Sequence, residues 1–129
     1  MPSDYCSVFI GPDLRIESRR AGQNTVCVLV GDAHMGNERQ VRDALRAVLD
    51  GRPAVLAVDL AAVRLFTSSC LNALLSARLT ARAAGTRLVL AAPSSGARRV
   101  LEITGADAVL PVYDTVAQAL ADNGTAPAP

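Results

Sequence analysis

Lysine and tryptophan are absent from this 129-residue chain, and the first absence removes whole classes of chemistry. Without lysine there is no amine to form a Schiff base and none to reach the phosphates of a P-loop. All thirteen basic side chains are therefore Arg, a bias that a GC-rich genome would produce. Aromatics are scarce: Tyr5, Phe9, Phe66 and Tyr113 are the whole set. Single-stranded nucleic acid is held on stacking platforms, so its binding is not expected. A net charge of +1 gives no field to attract nucleic acid or anionic lipid. Cys6, Cys27 and Cys70 are odd in number and lack Cys-x-x-Cys spacing, so neither a disulfide framework nor a metal site is expected. Free thiols in a reducing compartment are the natural reading. No apolar stretch approaches the ~20 residues that span a bilayer. Met1-Pro2-Ser3-Asp4 does not lead a basic segment into an apolar one, so no signal peptide is expected. These absences predict a cytoplasmic protein without a membrane span, metal or cofactor.

Half of the residues are apolar, supplied by Val, Leu, Ile and Ala, and the length suits one domain with one core. Residues 1–12 are short, mixed and punctuated by Pro and Gly, and read as a loosely packed N-terminal segment. Leu14 to Arg19 alternates apolar and polar, the pattern of a half-exposed edge strand. After the turn signal Gly22-Gln23-Asn24, Thr25 to Val30 is a more continuous apolar strand, so the two form a hairpin. Asn37 is placed to cap a helix whose stripe is Val41, Leu45, Val48 and Leu49. Ala54 to Leu60 reads as a strand buried on both faces, as in a parallel sheet. Leu71, Leu74, Leu75 and Leu79 mark a second helix that Gly85 ends. Thr86 to Ala91 is a strand, and a helix from Pro93-Ser94-Ser95 carries Val100, Leu101 and Ile103. Val109 to Tyr113 is a short extended piece, and Asp114 or Thr115 caps a last helix through Leu120. The tail, 122–129, reads as disordered. Strands alternating with helices predict an α/β domain over 13–121, with a small, mixed, mostly parallel sheet.

Three places could carry chemistry. Phe66-Thr67-Ser68-Ser69-Cys70-Leu71 is a strand exit turning directly into a helix, whose free N–H groups and partial positive charge welcome an anion. A hydroxyl there either caps the helix or accepts a phosphate. Cys70, in a first helical turn, could be a lowered-pKa thiol with His34 in a neighbouring loop, or simply a small residue filling the helix start. No orienting third group for such a pair is identifiable. Pro93 to Arg99 could hold an anion at a helix start, although a capping Ser with solvated arginines is the simpler reading.

The run from Val58 to Leu75, read through Thr67-Ser68-Ser69-Cys70-Leu71, resembles the signature of STAS domains, specifically the bacterial anti-sigma factor antagonists. The resemblance continues through Arg82 to Leu88, Arg98 to Gly105 and Leu110 to Thr115, covering roughly residues 13–121. It implies a STAS-like fold with helices mainly on one face of the sheet, and a non-enzymatic function in partner switching. In that family the unmodified antagonist binds an anti-sigma factor, often a GHKL-type serine kinase, and so frees a sigma factor. The kinase phosphorylates the second serine of the pair and a PP2C-type phosphatase removes the phosphate. Here that serine is Ser69, with Ser68 the secondary candidate. The partner-binding face implied comprises Asp32, His34, Thr67, Ser68, Ser69, Cys70, Asn72 and Ser76. Arg64, just before the loop, could favour an acidic partner.

This chain departs from the family pattern in three places. Thr67 stands where the family has Asp before the serine pair, Cys70 where it has Gly after, and His34 where the strand exit carries an aspartate. Both acidic residues expected beside the phosphorylation site are therefore absent. The alternatives left open are a diverged antagonist that binds without switching, a non-phosphorylated STAS scaffold subunit in a signalling or lipid-transport assembly, and thiol chemistry at Cys70.

Overall fold

An alternating strand and a continuous one meet across a two-residue turn to begin the sheet. In the computed structural model, which describes residues 6–121, β2 (Leu14–Ala21) pairs antiparallel with β3 (Asn24–Ala33). Ala21 lies opposite Asn24, and Gly22 in the turn takes a φ of +66°, which favours glycine. Leu14, Ile16 and Ser18 of β2 point inward while Arg15 and Arg19 face solvent. The segment ahead of residue 13 is a strand rather than a loosely packed lead-in. β1 (Cys6–Ile10) pairs antiparallel with β2 from Cys6 opposite Arg19 to Ile10 opposite Arg15. Residues 1–5, and the tail at 122–129 that reads as disordered, lie outside the described residues.

From β3 onward the chain follows the strand–helix alternation. A 3-10 turn (Met35–Asn37) leads into α1 (Glu38–Asp50), followed by β4 (Val55–Phe66), α2 (Ser68–Ala84), β5 (Arg87–Ala91), α3 (Ser95–Thr104), β6 (Val112–Tyr113) and α4 (Val116–Leu120). The sheet order is β1-β2-β3-β4-β5-β6, with β3 to β6 all parallel. β4 runs six residues past the expected end at Leu60. Its register against β3 shifts between Val28 and Val30 and again between Gly31 and Asp32, and Val63 and Phe66 are still buried beyond those irregularities. Thr115 rather than Asp114 caps α4, accepting from the Gln118 N–H at 3.1 Å.

Helices α1, α2 and α3 share one face of the sheet. There Leu14, Ile16, Leu29, Leu56, Leu60 and Leu90 pack against Val41, Leu45, Leu74 and Leu101 in one continuous core. The other face has a smaller cluster, Val55, Ala57, Val89 and Ala91, covered by Ala119, Val116 and Leu120 of α4. Two expected core positions are on the outside: Leu79 and Ile103 are 65% and 74% exposed. Helix α2 instead buries Cys70, Leu71, Ala73, Leu74, Ala77 and Ala81. Small side chains on that face bring the helix axis close to its neighbours.

Candidate functional site

Parallel strands deliver their exit loops to one edge of a sheet, and here the ends of β3 and β4 lie side by side. Ala33 pairs with Phe66, and the chain then enters the His34 loop on one strand and α2 on the other. Thr67 stitches the two exits together: its N–H and its hydroxyl both donate to the Ala33 carbonyl, at 3.1 and 3.2 Å. Thr67 sits at the N-cap position of α2, yet its hydroxyl is spent on β3 and makes no capping bond. The first N–H groups of α2 are therefore not satisfied by a side-chain cap, which leaves the helix end ready for an anion. Ser68 is exposed and Ser69 half-buried in this first turn. Asn72 is exposed and Ser76 half-buried along the same helix.

The second loop is tied down by side-chain hydrogen bonds. His34 Nδ1 accepts from the Gly36 N–H at 3.0 Å, so Nε2 carries the proton and donates to Asp13 Oδ2, also at 3.0 Å. Both ring nitrogens are thereby engaged, and none is left to activate a thiol. Asn37, expected as the cap of α1, makes no capping bond to that helix. Its buried amide instead accepts from the His34 N–H at 2.9 Å and donates to the Asp32 carbonyl at 2.8 Å. Arg64 does not stand alone: its guanidinium lies 3.3 Å from Asp32 Oδ1. Met35, 78% exposed beside His34, presents an apolar tip that the sequence reading did not single out. Asn37→Ala is expected to destabilise the fold by about 1–2 kcal/mol, because it leaves the half-buried His34 N–H and Asp32 carbonyl without their partner. Urea unfolding checks this, and a loss below about 0.5 kcal/mol would contradict the bridging role.

Cys70 does not belong to the exposed face on which the resemblance places it. Its side chain is fully buried, and burial together with the nearby Glu38 carboxylate pushes the thiol up from 9.0 to about 12. A thiolate nucleophile needs the opposite shift. The spacing 70–74–77–81 puts Cys70 on the buried face of α2, a signal the sequence carries. Cys27, in the core of β3, is likewise pushed up to about 12 by burial. With Cys6→Ser removing the remaining thiol, we expect the folded protein not to react with a disulfide reagent at pH 8, and two thiols to appear in urea. Above pH 9 the unfolded chain releases these protons while the folded chain keeps them. Stability should then fall as pH rises from 9 toward 12, by up to ~1.4 kcal/mol per pH unit for each thiol. Rapid labelling of the native protein would overturn the placement of both groups.

Glu38 is a further acidic group that the sequence reading missed. It lies in the first turn of α1, near enough to the start of α2 to act on Cys70, and pairs with Arg42 at 2.7 Å. The acidic side chains around the two loops, Glu38, Asp32 and Asp13, are each paired with a basic side chain. Among the described residues there is no cluster of three or more His, Cys, Asp or Glu arranged to hold a metal ion, and no helix is long and apolar enough to cross a membrane.

Comparison with solved structures gives the same fold. An anti-sigma factor antagonist from Mycobacterium paratuberculosis is 26% identical, with a TM-score of 0.73 over 87% of this chain and 96% of that one. A sulfate transporter family protein from Wolinella succinogenes is 24% identical, with a TM-score of 0.65 over 78% of this chain and 84% of the other. The Bacillus cell fate determinant SpoIIAA in its phosphorylated form is 15% identical, with a TM-score of 0.60 over 90% and 96%. No curated protein matches the chain. The family model described as "Mlab, STAS domain" matches residues 16–112, which span β2 through to β6 and include both loops of the site. The chain belongs to the STAS domain family.

Proposed function

We propose that this protein is an anti-sigma factor antagonist. It binds an anti-sigma factor of the GHKL serine-kinase type in the cytoplasm through the start of α2 and the His34 loop, and Ser69 is its phosphorylation switch. The observation that carries the reading is the start of α2 itself. Thr67 is diverted to β3, so Ser68 and Ser69 sit on a helix end with no side-chain cap, beside a loop tied down by Asn37. A hydroxyl in the first turn is accessible, and a phosphate placed there gains from the helix dipole. The likeness to the mycobacterial antagonist supports the same reading. The docking face is then Asp32, His34, Thr67, Ser68, Ser69, Asn72 and Ser76, with Met35 as an apolar anchor and without Cys70. A PP2C-type phosphatase would complete the cycle.

A second reading has its own support. The family description names Mlab, and the two acids of the antagonist pattern are replaced by Thr67 and His34. A STAS scaffold subunit of a signalling or lipid-transport assembly would use the same surface without a switch. Ser69→Asp separates the two. The anti-sigma partner is captured from native cells on the wild-type chain, identified, purified and titrated against both forms. Loss of binding with an intact fold supports the switch; equal affinity moves the assignment to the scaffold.

A further inference from the structure

Helices α1 and α2 connect parallel strands on one face of the sheet and therefore run side by side in the same direction. Between them lies a cleft of about 220 Å³. One wall is a stripe of arginines, Arg39, Arg42 and Arg46, at spacings of three and four residues on α1. The other wall carries the hydroxyls of Ser76 and Thr80, one turn apart on α2. Asp43 is the one carboxylate lining it. Among the described residues Arg42 has a carboxylate partner in Glu38, whereas Arg39 and Arg46 have none.

From this we infer that the α1–α2 cleft is a docking groove for an acidic segment of the protein partner, continuing the interface away from Ser69. The inference rests on the reading of the α2 start as a docking site and names the chemistry of what binds beside it. Charge complementarity decides the occupant. Two unpaired guanidiniums at one edge and the Ser76 hydroxyl at the other offer hydrogen bonds to carboxylates, Thr80 donating its own to the Ser76 carbonyl, and a single Asp does not neutralise the stripe. Ala73 and Ala77 of α2 are buried and close the floor, so a bound segment lies over the seam between the helices with the arginines on one side and Ser76 on the other. Ser69 lies two helical turns before Ser76 on the same side of α2, which aligns the groove with the switch. A chain with a net charge of only +1 thus concentrates positive charge along one line next to its site.

The test is an NMR titration of the full chain with a helical peptide of Ala and Glu, Glu recurring every third or fourth position, and with its Lys counterpart. Saturable shifts are expected for amides in 39–46 and 73–80 with the Glu peptide only, weakened by about tenfold in Arg39→Glu/Arg46→Glu and by less in Arg39→Gln/Arg46→Gln. Both pairs are exposed, and circular dichroism checks that the variants fold. Equal binding of the Lys peptide, shifts centred on another surface, or unchanged affinity in the charge-reversed variant would each overturn the inference. So would inorganic phosphate binding the same amides as tightly, since that marks a small-anion site. Failure of the groove leaves release of the partner by Ser69→Asp intact, and failure of the switch leaves the peptide bound, so the two are separable.

Discussion

Ser69→Asp is expected to weaken binding of the anti-sigma partner about a hundredfold or more while leaving the fold as stable as before. The two effects come from one charge in two environments. In the free domain a carboxylate in the first turn of α2 meets N–H groups that no side chain caps, an arrangement worth ~0.3–1 kcal/mol in its favour. In the complex the same charge is desolvated against a surface shaped for a hydroxyl, at a cost of roughly 3 kcal/mol or more. At about 1.4 kcal/mol per tenfold, that is two orders of magnitude in affinity. Ser69→Ala removes a hydroxyl and adds no charge, so it should bind within a few-fold of wild type. Ser68→Asp should have a smaller effect, because Ser68 is the more exposed of the pair and keeps more of its hydration. Titration calorimetry with the purified partner, alongside thermal unfolding of each variant, measures both halves. Wild-type affinity in Ser69→Asp would remove the switch; a destabilised fold would remove the account of the helix end.

The strand–helix order, the hairpin turn at Gly22 and the single site edge were legible because they depend on local period and punctuation. β2 alternates because one face meets the core, and β4 is continuous because helices cover both of its faces. What the sequence withheld depends on who meets whom in space. Thr67 and Asn37 are good capping residues by type, and both occupy N-cap positions, yet each spends its side chain on the β3 exit. Nothing local reveals that, because the competing acceptor, Ala33 or Asp32, arrives from another element. Glu38's nearness to Cys70 and Arg64's pairing with Asp32 are of the same kind, set by how α1 packs on α2 and by the register of β3 against β4. Cys70 is different, since its orientation followed from helical spacing and was obscured by alignment to a family position that carries glycine. β1 was hidden by the Pro and Gly around a short apolar run.

The partner-switching reading needs a surface that can change charge without moving the fold, and the molecule separates those tasks. Below Thr67 everything is packed: Phe66, Cys70, Leu71 and Leu74 belong to one core, so the start of α2 cannot shift without opening it. Above it, the hydroxyls of Ser68 and Ser69 and the exposed Met35 and Asn72 carry little of that packing. On that reading a modification there would change what can dock and leave the helix where it is.

Gly31→Ala is expected to be the most damaging small substitution, lowering stability by about 3–4 kcal/mol. Gly31 has a φ of +118°, where an L side chain is strained, and an added Cβ would sit 2.3 Å from the Asp13 carbonyl oxygen. That oxygen cannot rotate away, because it accepts the Asp32 N–H at 2.9 Å within the β2–β3 pairing. Relief requires β2 and β3 to part at the Leu14 end, where a fully buried Leu14 anchors the core. The consequence reaches the site, since the Asp13 carboxylate holds His34 and displacing that backbone releases the loop. Gly22→Ala is the control: its φ is also positive, at +66°, but nothing lies within 4 Å of the added carbon. Only left-handed strain remains there, about 1 kcal/mol. Urea unfolding of the two variants should therefore differ by 2 kcal/mol or more on this ~1 versus ~3–4 kcal/mol comparison, and partner binding should weaken in Gly31→Ala alone. Equal losses would mean that the close approach at Asp13 relaxes freely, and that the His34 loop is not held by the strand pairing beneath it.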